Sequence, residues 1–339
     1  MARAAITLRT MRRLAGTLAF GVCMAAAYHA SAHTTLDQPS LSPPPSLAAG
    51  AAYDVAHDAL VVVGGSSPTA AAETWTWSDA RWRRVTSPGP SPRAEPLLAY
   101  ASDRSRVVLY GGDRGGDAPP LTDTWEWDGA HWERVDTVGP PSRSGAAMAF
   151  DTRRGRVVLF GGARPSGGAE LDETWEWDGH RWQQMTASGA STHPPGRVLH
   201  AMAFDEARGR VVLYGGATLA SGKPEPFGDT WEWDGRAWRR IDVTGPGARD
   251  HVAMAYSPAL RAVVLHGGGT PAEGMLGDTW RYDGRAWTRL LDAGPARGRH
   301  RLAYDPARRA VLLYGGYDGR GRTSELWVLR ANAWERLAP

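Results

Sequence analysis

Cysteine is almost missing from this sequence: Cys23 stands alone among 339 residues. Disulfide cross-linking is therefore excluded as the source of stability, and a large, regular core has to hold the chain together. Other signatures are missing too. No HxH or HExxH spacing and no local carboxylate–histidine motif occurs, so no metal site is expected. The sialidase Asp-box, Ser-x-Asp-x-Gly-x-Thr-Trp, is also missing, and "DETWEWDG" shares only letters with it. Paired carboxylates do not occur locally, and Glu126, Glu176 and Glu232 are expected on the outward face of a strand instead of in catalysis. Nothing in the chain calls for a cofactor.

Beyond residue 32 no apolar run is long enough to cross a bilayer. Before it, Arg3, Arg9, Arg12 and Arg13 precede an apolar stretch from Leu14 to Tyr28 and then Ala30-Ser31-Ala32. That order is the order of a secretory signal, so residues 1–32 are expected to be a signal peptide cleaved after Ala32, leaving an exported, periplasmic or extracellular protein without membrane insertion. Arg12-Arg13 leaves a twin-arginine route open, and an uncleaved anchor is a second alternative. Val22 sits where lipidation of Cys23 would require a small residue. Removing the four arginines takes 39 basic groups down to 35, against 36 acidic ones. The mature chain then has no electrostatic reason to bind nucleic acid.

What is abundant is Trp, with sixteen copies, alongside forty-one Gly and twenty-four Pro. Short Val/Leu runs between turn residues predict many short strands, an all-β protein. The doublets Gly64-Gly65, Gly111-Gly112, Gly161-Gly162, Gly215-Gly216, Gly267-Gly268 and Gly315-Gly316 recur at spacings of 47, 50, 54, 52 and 48 residues. Each ends an apolar strand such as "RVVLYGG", each is preceded by a second one such as "AMAFD", and each is followed, past a variable loop, by a motif such as "DTWEWDG". A period of this length is that of propeller blades. Every tryptophan falls in the last two strands of a repeat. Strand alternation puts Trp231 and Trp233 on one face, and the turn "DGRA" brings Trp238 beside them on the neighbouring strand. The tryptophans are thus expected to be packing parts, each ring contributing on the order of 2–3 kcal/mol on burial.

These features resemble the kelch family: a strand-ending Gly-Gly, a variable loop, an aromatic usually followed by Asp, and a Trp on the fourth strand, six times over about 290 residues from Ala49 to Pro339. The resemblance implies a six-bladed β-propeller of four-stranded blades, at about residues 49–92, 93–142, 143–196, 197–248, 249–296 and 297–339. Trp127, Trp177 and Trp233 stand where the family usually has Tyr. Residues 33–48, with "SLSPPPS", read as an extended linker. Because the first repeat opens on its inner strand and the last closes on its outer one, the ring is expected to close by packing and not by a shared strand.

In such a propeller the B–C loops, between second and third strands, and the D–A connections, between blades, share one face. The B–C loops vary most, so the binding face is expected there. The D–A connections carry Arg93, Arg143, Arg197, Arg249 and Arg297, with Ser46 in the first slot. Two roles stay open for them: clasping an anionic ligand at the central opening, or pairing with the acids that open the next motif, such as Asp123, Asp229 and Asp278. His200 and His300 hold equivalent slots at inner-strand starts, with His251 one residue out of register; they join the arginines as candidate ligand contacts, while against a metal at the axis they are expected to be satisfied or solvent-facing. Within the resembled family, galactose-oxidase-like copper enzymes use a cysteine cross-linked to tyrosine, which the cleaved chain lacks. Exported kelch mutarotases need only Arg and a carboxylate at the axial mouth. The expectation is a monomeric binding or scaffolding propeller for a protein or glycan partner, the alternative a mutarotase- or lyase-like carbohydrate enzyme.

Overall fold

The computed structural model describes residues 43–44, 49–64, 73–115, 119–135, 138–164, 167, 169–186, 189 and 192–337. The expected signal peptide, Cys23, Ser46, the first B–C loop and nearly all of the expected linker lie outside them. All strands fall within the unit Ser40–Pro339.

Alternating turn residues and short apolar runs give six four-stranded antiparallel sheets, each in chain order from the axis outward. Blade 1 comprises Gly50–Asp54, Ala59–Val63, Thr74–Ser78 and Arg81–Arg84, and blade 2 Leu97–Ala101, Arg106–Gly112, Leu121–Trp127 and Trp132–Val135. Blade 3 comprises Ala147–Asp151, Arg156–Phe160, Thr174–Trp177 and Trp182–Thr186, and blade 4 Ala201–Asp205, Arg210–Tyr214, Thr230–Trp233 and Trp238–Ile241. Blade 5 comprises Ala253–Ser257, Ala262–His266, Thr279–Tyr282 and Trp287–Leu291, and blade 6 Arg301–Asp305, Ala310–Tyr314, Leu326–Leu329 and Trp334–Leu337. Two B–C loops add small hairpins, Ala217–Thr218 with Glu225–Pro226 and Gly269–Thr270 with Gly274–Met275. The six-bladed kelch-type propeller read from the sequence is the observed fold.

Second strands read as continuous apolar runs because both of their faces are covered by neighbouring blades. Val211, Val212, Leu213 and Tyr214 are all fully buried, Leu213 in the cluster shared with blade 3 and Val212 and Tyr214 in the one shared with blade 5. The ring closes in the same way: Leu60, Val62, Trp75 and Trp77 of blade 1 share a core with Leu312, Tyr314 and Val328 of blade 6. Among the described residues no strand is exchanged between blades 1 and 6.

In blades 2 to 6 both doublet glycines end the second strand with positive φ, Gly215 at 69° and Gly216 at 87°. A Cβ on Gly215 would lie 2.6 Å from the Arg249 carbonyl oxygen, and one on Gly216 would lie 2.6 Å from that of Val198. Only glycine lets the D–A crossing run this close. The reward is backbone pairing, with the Gly216 N–H donating to Arg249 O at 2.9 Å and Ala217 bonded both ways to Val198.

The third and fourth strands tie blade to blade. In blades 2 to 6 the fourth-strand indole N–H donates to a threonine of the preceding blade: Trp132 to Thr74, Trp182 to Thr124, Trp238 to Thr174, Trp287 to Thr230 and Trp334 to Thr279, all at 2.8–2.9 Å; Trp82 of blade 1 faces Leu326 in that slot instead. Glu126, Glu176 and Glu232 correct an expectation. They do not face outward; each accepts from the next blade's middle aromatic, Trp177 (3.1 Å), Trp233 (2.9 Å) and Tyr282 Oη (2.8 Å) respectively. Alternation does assign them the face opposite the tryptophans, but a propeller blade has no outward face. The same carboxylates pair with Arg104, Arg154 and Arg208 from the turns of the far side, which accounts for much of the arginine in those turns.

Candidate functional site

The repeated arginines come first, since the sequence brings one to each D–A crossing. A Gly/Pro turn delivers Arg93, Arg143, Arg197, Arg249 and Arg297 to the interior, all buried. Each meets the acid that opens its own blade's third strand. Arg93 grips Asp123 with two bonds (2.7 and 2.9 Å), Arg197 grips Asp229 (2.7 and 2.9 Å) and Arg249 grips Asp278 (2.7 and 3.1 Å). Arg143 bonds Glu173 at 3.0 Å, and Arg297 pairs with Glu325. In four blades a guanidinium N–H also donates to the first glycine of the doublet, at Gly111, Gly161, Gly215 and Gly267. The same acids accept the indole N–H two residues on, as Asp229 does from Trp231 at 2.7 Å. Burial pushes the Asp123, Asp229 and Asp278 carboxyls up, and the arginine and indole bonds outweigh it, leaving all three below the usual aspartate value. Arg197 additionally stacks on Phe227 at 4.1 Å.

The five arginines thus brace their own blades through acids, which is one of the two roles open in the sequence. The donors of Arg93 reach Ser91, Gly111 and Asp123, and its side chain has no exposed surface, whereas Arg249 Nε and Arg297 Nε and Nη1 are buried without a hydrogen-bond partner among the described residues.

His200 and His300 are not solvent-facing. Both are buried, and among the described residues no well-formed hydrogen bond reaches their ring nitrogens, although the backbone of Phe160 and of His266 respectively lies near enough to favour the protonated ring slightly. His200 sits edge-on to Phe160 (5.7 Å between ring centres), and burial, then the nearby Arg197 charge, lowers its pKa to about 3. His300 sits edge-on to His266 at 5.4 Å, and burial, followed by that neighbour, lowers it well below the ordinary histidine value. His266 fills the slot of Tyr110 and Tyr214; like their hydroxyls, its Nε2 meets a backbone oxygen, here Pro295 O at 2.9 Å. No group of three histidine, cysteine, aspartate or glutamate side chains suited to a metal ion occurs among the described residues.

A cavity of about 140 Å³ opens at the axial mouth on the loop face. Its rim is set two residues after each brace arginine, at Glu95, Gly145, Leu199, His251 and Arg299. All five have positive φ, between 54° and 67°, a backbone state unusual for the four that are not glycine. Interblade backbone bonds hold them there: Leu199 N–H to Gly145 O (2.7 Å), His251 N–H to Leu199 O (2.9 Å) and Arg299 N–H to His251 O (3.2 Å). The geometry repeats while the side chains do not. Glu95 and Arg299 pair at 2.5 Å, spanning the mouth beside blade 1, and His251 Nδ1 lies 2.8 Å from Asp250.

Arg301 is the residue that reading for repeats misses. Inner strands of blades 1 to 5 begin with Gly50, Leu97, Ala147, Ala201 and Ala253, whereas blade 6 begins with Arg301, against the cavity. It is partly exposed, yet enclosed enough that burial lowers its pKa, Glu95 opposing that shift and Arg299 adding to it. Among the described residues Arg301 has no ion pair, and its one hydrogen bond is to the His300 carbonyl at 3.2 Å. The signal available in the sequence was a cation in a slot otherwise held by small or apolar residues.

Fold and repeat geometry define a kelch-type propeller, and comparison with known proteins agrees. Residues 101–294 match the family described as KLHDC2/KLHL20/DRC7 Kelch-repeats domain, more than half of the chain, and the protein belongs to the kelch-repeat family. The solved structure of YjhT is similar in fold, with a TM-score of 0.65 and 13% identity, covering 88% of this chain and 99% of YjhT. No curated protein gave a sequence match. Kelch propellers are commonly protein-binding scaffolds.

Proposed function

We propose that this protein is an exported kelch propeller that binds a protein or glycan partner on the face formed by its B–C and D–A loops, centred on the axial mouth. The observation that carries this reading is Arg301, a guanidinium beside the cavity with no acidic partner among the described residues. In a repeat protein the recurring groups are the ones the fold needs, and here the recurring arginines are consumed by it. Groups that break the repeat are where a ligand can be served, and Glu95, His251 and Arg299 at the rim and Arg301 beside them break it together at one opening, the first three already paired and Arg301 not. Export rests on the basic and apolar N-terminal pattern. The carbohydrate-enzyme alternative relied on the repeated arginines and is the weaker reading now that each is engaged by an acid.

Binding of acidic glycans and of carboxylate-rich peptides to the immobilised protein tests this. The expected result is a ligand whose binding is lost in Arg301→Gln and retained in Arg153→Ala, a change on the opposite face where Arg153 caps carbonyls of the Glu206–Arg208 turn. Loss in the Arg153 variant with Arg301→Gln unaffected would place the partner on the other face.

A further inference from the structure

We infer that the axial cavity is a site for a small monocarboxylate with a compact apolar body, its carboxylate paired with Arg301 and its body resting on the floor below. This goes beyond the loop-face reading, adding a small-molecule guest at the same axial mouth, and rests on it only through Arg301.

A guanidinium without an ion pair of its own selects an anion. Arg299 is held by Glu95 and His251 by Asp250, and among the described residues Arg301 forms no ion pair, Glu95 acting on it only at longer range. A planar guanidinium suits the two oxygens of a carboxylate. The rest of the wall disfavours a phosphate or sulfate, which needs several donors. The rim amides of Leu199, His251 and Arg299 already donate to the preceding blade, so they form no cradle of free N–H groups.

The floor selects an apolar body. One layer below Arg301, the second positions of the inner strands present Ala51, Leu98, Met148, Met202, Met254 and Leu302 to the cavity. Three thioether side chains from consecutive blades make an adaptable surface with no charged group. Beneath lies a ring of buried alanines, Ala52, Ala99, Ala149, Ala203, Ala255 and Ala303. The volume of about 140 Å³ bounds the guest, because an apolar cavity of about 150 Å³ admits benzene. A benzoate- or cyclohexanecarboxylate-sized acid fits, whereas the body of a sugar acid would bring hydroxyls onto a floor without partners for them.

The test is calorimetric titration of the full-length protein with benzoate, cyclohexanecarboxylate, acetate, benzamide and inorganic phosphate, with methionine-methyl NMR on the same samples. Expected is saturable binding of the two apolar acids, weaker binding of acetate and benzamide, none of phosphate, and a loss of at least about tenfold in benzoate affinity in Arg301→Gln. The methyl signals of Met148, Met202 and Met254 should move with benzoate while that of Met185, on an outer strand, stays. This readout on the unaltered protein decides the matter even if the variant does not fold. Equal binding of benzamide, binding of phosphate in place of benzoate, or unmoved floor methyl signals would overturn the inference. If no acid binds but Arg301→Gln still loses the loop-face partner, this inference fails and the loop-face reading stands; if Arg301→Gln is silent in both assays, both fail.

Discussion

Arg197 and Asp229 are joined by two hydrogen bonds of 2.7 and 2.9 Å inside blade 4, and the same carboxylate receives the Trp231 indole N–H. One acid thus ties the D–A crossing to the third strand and to the first indole of the motif. Arg197→Ala leaves Asp229 charged and largely buried, so a loss of about 3–5 kcal/mol is expected. Urea unfolding measures it. An unchanged midpoint would mean that the brace is not structural.

The seam between blades 6 and 1 is a second place to test the packing. Val328 stands in the slot that Glu176 and Glu232 hold in blades 3 and 4, and the Trp77 indole N–H is buried with no acceptor among the described residues. Val328→Glu would supply that acceptor and a partner for Arg308, which lies over the Trp77 ring at 4.5 Å. A gain of about 1 kcal/mol is expected in thermal unfolding. A clear drop would show that the seam has no room for the longer side chain.

Acid sensitivity follows from the buried histidines. Burial holds His200 at about 3 and His266 at about 4, with His300 well below its ordinary value, against about 6.5 in the unfolded chain. Between the folded and unfolded values the unfolded chain binds more protons, so stability is full above about pH 6.5 and falls as the pH drops towards 4. Lowered carboxyls such as Asp229 add a further loss below their usual value of 3.8. His266→Tyr restores the residue of the equivalent slots and should flatten the decline between pH 6.5 and 4, as read from unfolding midpoints across that range. An unaltered slope would assign the acid sensitivity elsewhere.

The fold was legible because its signals repeat. Gly215-Gly216 and Trp231-x-Trp233 recur at a blade's period, and each copy corroborates the others. Glu232 was misplaced because alternation separates two faces but does not reveal that a neighbouring blade covers the second. Arg197 could not be assigned between ligand and brace, since its partner Asp229 is 32 residues away and only the folded B–C loop brings them together. Arg301 was overlooked for the opposite reason: a search for repetition passes over the residue that departs from it.

Enclosure also makes Arg301 a cost to the fold. A charge held beside an apolar floor, with no ion pair of its own among the described residues, destabilises the unliganded protein, a common property of binding residues.

The most direct test is therefore the unfolding temperature of Arg301→Gln without ligand. The predicted result is a rise of about 2 °C or more, because a cation reserved for a ligand is lost and no internal bond of consequence goes with it. A fall comparable with that of Arg197→Ala would show that Arg301 is one more brace and contradict its assignment to ligand binding.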